Sequence, residues 1–427
     1  MKIKTKKLAF SEVLKITPPK HKKPQKPWWI LGALIRIISL PDLWSAKFKF
    51  TSSRMDKAGK GPYFILMNHS SFIDLQIIYK IFFPKPFNII ATSDSFVGKS
   101  FLMRKLGCIP TNKFVTDVTL ISDILHTVRK NKCSVVMYPE ASYSFDGCAT
   151  PLPQKLGVLI KKLGIPVVTV MTDGAFLRDP LYNGLQKRKV KVKAEVNCLF
   201  TKEEIAEKSA EELTKALENC FTFDNFARQY ETKTPVTEDF RADGLERILY
   251  RCANCGCEEK MVGKGTKLQC GNCGKTYEMD IYGRLNAAEG ETEFPHIPDW
   301  YKWERECVKK EIADGSYLLD TEVTIGLLAD YKAIYMVGDG RLIHTTNGFT
   351  LTGCDGNLNY QQSASASYGL YADYYWYEIG DVICIGDRNR LYYCFPKHKT
   401  NVAKARLAAE EIYNLIKNKS LPAKEAE

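Results

Sequence analysis

Between residues 61 and 200 the chain alternates short apolar runs with segments whose apolar positions recur at helical spacing. "YFILMN" reads as a buried strand, and "SFIDLQIIYKIF" after it as a helix. "FNIIAT" gives a second strand and "GKSFLMRKLG" a second helix. A helix over "TDVTLISDILHTVRKN" leads into the strand "SVVMYP". Another, "PQKLGVLIKKLG", ends at Gly164, where a helix C-cap is wanted, before the strand "IPVVTV". This order predicts an α/β domain over residues 45–235, a mostly parallel sheet flanked by helices. In such sheets chemistry collects beyond the carboxyl ends of the strands, where "MNHSS" and "YPEAS" both fall.

The pattern then changes twice. After a mixed-charge stretch from Lys202 to about Leu249, "YRCANCGC" opens a small cysteine-bearing unit over residues 245–285. A linker with Pro295 and Pro298 leads to a helical piece near "WYKWERECVKKEI". Residues 316–420 are rich in aromatics and turn dipeptides: "YKAIYMVGDGRLIH" reads as a hairpin, and "YADYYWYEI", "DVICIG" and "RLYYCF" as further strands. A closing helix follows in "NVAKARLAAEEIYNLIKN". By layout this β-rich domain is similar to the pleckstrin-homology type.

Charge alters the picture mainly at the start. Residues 1–27 carry nine lysines and one glutamate, a net +8 of the chain's +12. Such a run suits nucleic acid, an anionic membrane face or plain solvated disorder. It precedes "PWWILGALIRIISLPDLW", an apolar segment broken by Arg36 and Pro41 and flanked by Trp28, Trp29 and Trp44. That segment falls short of the ~20 apolar residues needed to cross a bilayer. The long polar lead and missing cleavage site argue against a signal peptide. Terminal tryptophans and an arginine able to snorkel predict a helix lying in a membrane interface, so residues 1–44 read as a basic tail plus interfacial helix. The alternative is a helix buried against the α/β domain. Fourteen cysteines without a secretory signal point to a reducing compartment.

Two constellations carry chemistry. His69 and Asp74 stand five residues apart, about 500° of helical turn, so they meet only if His69 precedes the helix and Asp74 lies in its first turn. Ser71-Phe72-Ile73-Asp74 also fits a capping box, which would make Asp74 structural. The second constellation is Cys252-x2-Cys255 with Cys270-x2-Cys273, the spacing of a zinc ribbon whose four thiolates close a tetrahedron around a structural zinc. A redox dithiol or an iron–sulfur site is the alternative.

"NHSSFID" and "YPEAS" together resemble the glycerolipid acyltransferases, the family that includes bacterial 1-acylglycerol-3-phosphate acyltransferase. Four ordered blocks over residues 45–230 carry the resemblance: His69 and Asp74, "GCIPTNK" ending at Lys113, "YPEAS" from Tyr138 to Ser142, and "IPVV" from Ile165 to Val168. The resemblance implies that His69 takes the proton of an acceptor hydroxyl while Asp74 orients its ring. It also implies that Glu140, Ser142 and Lys113 hold the acceptor, with Lys155 on the following helix as a further point charge. No G-x-S-x-G elbow occurs, which favours direct transfer over an acyl-enzyme. Ala141 and Tyr143 depart from the family's glycine and arginine; the second change removes a bidentate phosphate clamp. The expected reaction moves a fatty acyl group from acyl-CoA or acyl carrier protein to a lysophospholipid, 1-acylglycerol-3-phosphate giving phosphatidate. It would run at the cytoplasmic face of the cell membrane, on a peripheral or monotopic protein bound to an anionic surface. Two other readings stand beside it. One is a zinc-ribbon nucleic-acid-binding protein, although the ribbon is nearly charge-balanced and lacks a basic stripe. The other is a lipid-binding adaptor with reduced catalysis, suggested by the altered third block.

Overall fold

The computed structural model describes residues 2–115 and 117–418. A three-residue strand, β1 (Thr5–Lys7), comes first. The α/β unit then supplies β2 (Lys49–Ser53), β3 (Phe64–Met67), β4 (Phe87–Thr92), β5 (Cys108–Thr111), β6 (Ser134–Met137), β7 (Val167–Asp173) and β8 (Lys193–Phe200). They form one sheet in the order β2-β8-β7-β3-β6-β4-β5, parallel throughout except at β7–β8. All four residues of β3 are wholly buried, because helices cover both faces of the sheet; hence the unbroken apolar run in the sequence. Ile65 and Met67 face one core with Ile73, Ile77 and Val168. Phe64 and Leu66 face the other, with Ile124, Leu156 and Ile160. Helices Ile73–Phe82, Val118–Arg129 and Leu156–Leu163 stand where the periodicity predicts them, the last closed by Gly164 at φ 60°.

The cysteine-bearing unit is a four-stranded antiparallel sheet of β9 (Met261–Lys264), β10 (Lys267–Cys270), β11 (Thr276–Met279) and β12 (Leu285–Ala287). The β-rich unit follows: β13 (Leu319–Leu328), β14 (Ile334–Thr345), β15 (Gly348–Gly353), β16 (Leu358–Ser363), β17 (Tyr371–Trp376), β18 (Gly380–Gly386) and β19 (Leu391–Pro396). Their order is β16-β15-β14-β13-β19-β18-β17, closed by helix Val402–Lys417. The expected hairpin turn at "GDG" is instead an irregularity inside the long strand β14. Gly338 has φ 140°, and the pairing with β13 slips opposite it, between Ile325 and Gly326. A side chain on Gly340 would drive a Cβ to 2.2 Å from the Thr352 carbonyl of β15.

The units are fused through shared cores. Phe145 and Phe176 of the α/β unit pack in one apolar cluster with Met261 and Tyr277 of the cysteine unit, Trp300 of helix Ile297–Ala313, and Ala405 and Leu407 of the closing helix. A second cluster sets Val97 of the α/β unit among Tyr371, Trp376, Val382 and Tyr393 of the β-rich unit. Tyr374 donates to the Arg247 carbonyl at 2.7 Å, tying β17 to the segment before the ribbon.

The first 27 residues correct the expectation of a free basic tail. β1 pairs in parallel with residues 334–336 of β14, and Phe10 and Val13 are buried in the large shared core. Further along, the Asn88 and Asn131 amides donate to the Gln25 and Pro24 carbonyls, while His21 meets Asp123 at 2.9 Å. The segment is a strap from the β-rich unit to the α/β unit. Its pairing uses backbone groups, so the three lysine and threonine side chains of β1 stay exposed.

Helix Trp29–Ser45 runs through Pro41 rather than stopping before it. Asp42, just beyond the proline, anchors that last turn by accepting from Arg178 (2.5 Å), Lys187 (2.7 Å) and Gln76 (2.9 Å). Gly32, Ser39 and Leu43 turn inward; a Cβ on Gly32 would come to 3.3 Å from Phe83, so glycine permits the close approach to helix Ile73–Phe82. Trp29, Ile30, Leu34, Ile37, Ile38 and Trp44 face outward and are exposed. The same helix is therefore both packed inward and apolar outward. Among the described residues no helix is long and apolar enough to cross a membrane.

Candidate active site

β3 ends at Met67 and helix Ile73–Phe82 begins six residues later, so His69 falls in the connecting turn and Asp74 in the first turn of the helix. That placement lets them meet: His69 Nδ1 lies 3.0 Å from Asp74 Oδ2. The same oxygen accepts from the backbone N–H groups of Ser70 (2.9 Å) and Ser71 (3.1 Å). Asp74 thus does what a capping carboxylate does and also orients the histidine; the structural and catalytic readings coincide in one atom. Its other oxygen, Oδ1, is buried without a protein partner among the described residues.

The turn is held from both neighbouring strands. Asn68 Oδ1 accepts from the Thr172 amide at 2.8 Å, on β7. Glu140, just past β6, accepts the His69 amide on Oε2 at 2.9 Å, and the Thr150 amide and hydroxyl on Oε1 at 3.2 and 3.3 Å. Burial nonetheless pushes the Glu140 carboxyl up to about 7, against these hydrogen bonds. Glu140 therefore reaches His69 through the backbone.

The His69 ring lies between two tyrosines. Tyr138 and Tyr143 each stack on it at 30°, with centroids 4.2 and 4.1 Å away. Two rings so close cannot share one face of an imidazole, so they cover opposite faces. With Nδ1 committed to Asp74, only the edge carrying Nε2 is open, and the side chain is 20% exposed. Desolvation lowers the His69 pKa, opposed by the Asp74 hydrogen bond and charge, so the ring is neutral at neutral pH. A neutral imidazole with Nδ1–H donated to a carboxylate presents Nε2 as a base.

The other expected acceptor residues divide. Ser142 is buried beside the site with its hydroxyl unpartnered among the described residues. Lys113 is half-buried, its Nζ 4.1 Å above the ring of Tyr371 from the β-rich unit. Lys155 is different: it precedes helix Leu156–Leu163, is exposed, and joins none of these interactions. Ala141 takes φ 58°, the left-handed backbone for which the family's glycine is suited.

Several contributors were invisible in the sequence. Tyr143 registered only as a missing arginine. Its carbonyl accepts from Arg406 of the closing helix at 3.3 Å, and that guanidinium also lies 4.5 Å over the Phe145 ring. Asp179 is buried within electrostatic reach of Asp74, beside Arg178 at 3.5 Å, its carboxyl pushed up to about 7 by burial. Helical or strand periodicity marks none of these.

The four expected cysteines do converge. The Sγ atoms of Cys252, Cys255, Cys270 and Cys273 lie within 4.8 Å of one another, and the Cys252–Cys273 and Cys255–Cys270 pairs are 3.8 Å apart. A tetrahedral ion with ~2.3 Å bonds to sulfur separates its ligands by about 3.8 Å, so the donor set fits a zinc-sized metal. Each Cys-x2-Cys knuckle is closed alike, the Gly256 and Gly274 amides donating to the carbonyls of Cys252 and Cys270.

The family model described as "Acyltransferase" matches residues 47–173. Among solved structures, the chain is similar to the 1-acyl-sn-glycerophosphate (LPA) acyltransferase PlsC from Thermotoga maritima. That likeness is at 18% identity, over 44% of this chain and 76% of that one, with a TM-score of 0.35. No curated protein matches this chain.

Proposed function

From a chain that carries an acyltransferase-family domain over residues 47–173, we propose a reaction: transfer of a fatty acyl group from a thioester, acyl-CoA or acyl carrier protein, to the free hydroxyl of a lysophospholipid. The observation that carries this reading is the His69–Asp74 pair with Nε2 as the one open edge. The acceptor oxygen bonds to the acyl carbonyl carbon, its proton passes to Nε2, and the carbon–sulfur bond breaks. The proton then leaves on the departing thiolate. Asp74 stabilises the imidazolium in between. Lys113 is the cation placed to meet an acceptor phosphate, a group that 1-acylglycerol-3-phosphate and the lysophospholipids esterified from it all carry.

Exposed apolar side chains near the site support the same reading. Trp28 meets Phe101 edge-on at 6.3 Å, extending the outward face of helix Trp29–Ser45. Phe72, three residues from His69 and 61% exposed, touches the Tyr143 ring at 6.1 Å. The catalytic slot therefore borders exposed apolar side chains, as suits an enzyme that takes a lipid from an interface at the cytoplasmic face of the membrane. On the same proposal the four cysteines hold a structural zinc and the β-rich unit is a pleckstrin-homology-like domain.

The test is acyl transfer by the full chain from labelled acyl-CoA and acyl carrier protein to a lysophospholipid panel. Labelled diacyl product that disappears in His69→Ala supports the proposal. Retained transfer in that variant, or thioester hydrolysis alone, overturns it. For the membrane, Ile37→Lys with Ile38→Lys is preferable to deleting residues 1–44, because deletion would also remove β1 and the buried Phe10 and Val13. The double variant should lose flotation with anionic vesicles; unchanged flotation refutes the assigned face.

A further inference from the structure

The loop that carries Lys113 is enclosed by the β-rich unit on two sides. Phe114, the next residue, holds φ 59°, and its ring stands edge-on to Tyr368 at 5.4 Å and against Gly369, where a Cβ would come within 2.6 Å. From the β18–β19 turn, Arg388 reaches Thr119 at 3.3 Å and Asp117 at 3.7 Å. A bulky residue in left-handed backbone persists only where its surroundings over-determine it, so the position of Lys113 is fixed by the β-rich unit.

That unit also supplies charge. Tyr371, under the Lys113 ammonium, and Asp373 are two residues apart on β17 and so share a face of the strand. Among the described residues no carboxylate forms an ion pair with Lys113; Asp373 acts on it at longer range, with Oδ1 accepting the Tyr374 amide at 2.9 Å. Asp373 also lies within electrostatic reach of Tyr143, which is stacked on His69. Burial raises the Asp373 carboxyl to about 6, with Lys113 the largest opposing influence. Asp94 lies behind, its Oδ2 accepting from Tyr371 (2.9 Å) and Trp376 (3.2 Å) while Oδ1 is buried without a partner. Lys99 lies within electrostatic reach of Asp94. Arg406 also acts on Lys113 and Asp381 on Asp373, so three cations (Lys99, Lys113, Arg406) against three aspartates (Asp94, Asp373, Asp381) leave this surrounding without net charge. A phosphomonoester would bring nearly two uncompensated negative charges into it, whereas a head group carrying both signs would bring none.

We infer that the acceptor head group is zwitterionic, its phosphate meeting Lys113 and its cationic amine meeting Asp373, so that the β-rich unit selects the lipid. This rests on the acyl-transfer reading and adds the class of acceptor to it.

The experiment compares kcat/KM of the full chain for three acceptors in the same detergent. They are 1-acylglycerol-3-phosphate, its ethanolamine ester, and its glycerol ester, a phosphodiester without the amine. The phosphoethanolamine acceptor should exceed both others by tenfold or more. Asp373→Asn should bring it down to the phosphoglycerol level, through KM rather than kcat, and Asp373→Glu should restore much of the preference. A wild type that uses the phosphomonoester or the glycerol ester equally well or better overturns the inference and leaves acyl transfer standing. A preference unchanged in a folded Asp373→Asn also overturns it. If that variant does not fold, the wild-type panel decides alone. No transfer to any of the three overturns the acyl-transfer reading itself.

Discussion

The proposed catalytic pair and the proposed head-group surroundings adjoin each other and are built in opposite ways. His69 and Asp74 come from one turn, five residues apart, and their geometry follows from a strand ending where a helix begins. Lys113, Tyr371 and Asp373 come from two units, and their geometry depends on how those units fuse. On the proposed reading the reactive step is local, so it can stay fixed while selection around it is rebuilt by whatever packs on the α/β unit. Tyr143 joins the two: its ring covers His69 and its carbonyl is held by the closing helix.

The sharpest test of the local half is His69→Ala, which should lower kcat for every acceptor on the order of 10²–10⁴-fold with little change in melting temperature. A loss confined to one acceptor would tie His69 to binding instead. Asp74→Asn should cost on the order of 10² in kcat, and also about 1 kcal/mol of stability through the Ser70 and Ser71 amides it caps. Lys113→Ala should raise acceptor KM about tenfold while leaving KM for the acyl donor unchanged, which separates the selecting half from the reacting half.

The tyrosine that joins them is tested by pH. Burial disfavours imidazolium, so the acid limb of kcat/KM should have its midpoint below the usual 6.5, activity falling as His69 takes up a proton. Tyr143→Ala admits water to one ring face and should move that midpoint up toward 6.5. An unmoved midpoint would mean that the stacking does not set the basicity of the base. Smallest of all, Ala141→Gly should relieve left-handed backbone and change stability by no more than about 1 kcal/mol in the stabilising direction, measured by denaturant unfolding.

The same division explains what was legible in the sequence. His69 and Asp74, the cysteine knuckles, β3 and the Gly164 cap all depend on neighbours within a few residues, so spacing and periodicity expose them. Asp373, Arg406 and Tyr371 act across more than two hundred residues, and nothing in their local pattern marks them. β1 escaped for another reason: a three-residue strand with every side chain exposed has no apolar alternation, and backbone pairing alone defines it. "GDG" misled because glycines that serve a turn also serve a crowded crossing of strands, as at Gly340 against β15. Lys155 is expected as a further point charge on the following helix, but its position opening that helix leaves it in solvent.

The parallel pairing of β1 with β14 also sets a timetable. Residues 5–7 leave the ribosome about 330 residues before residues 334–336, the partners they need. At about 5–20 residues per second the wait is roughly 15–65 s. During it the outward face of helix Trp29–Ser45 is already displayed on a nascent chain whose strap is still open. The apolar helix thus meets its surroundings well before the strap that binds the β-rich unit to it can close.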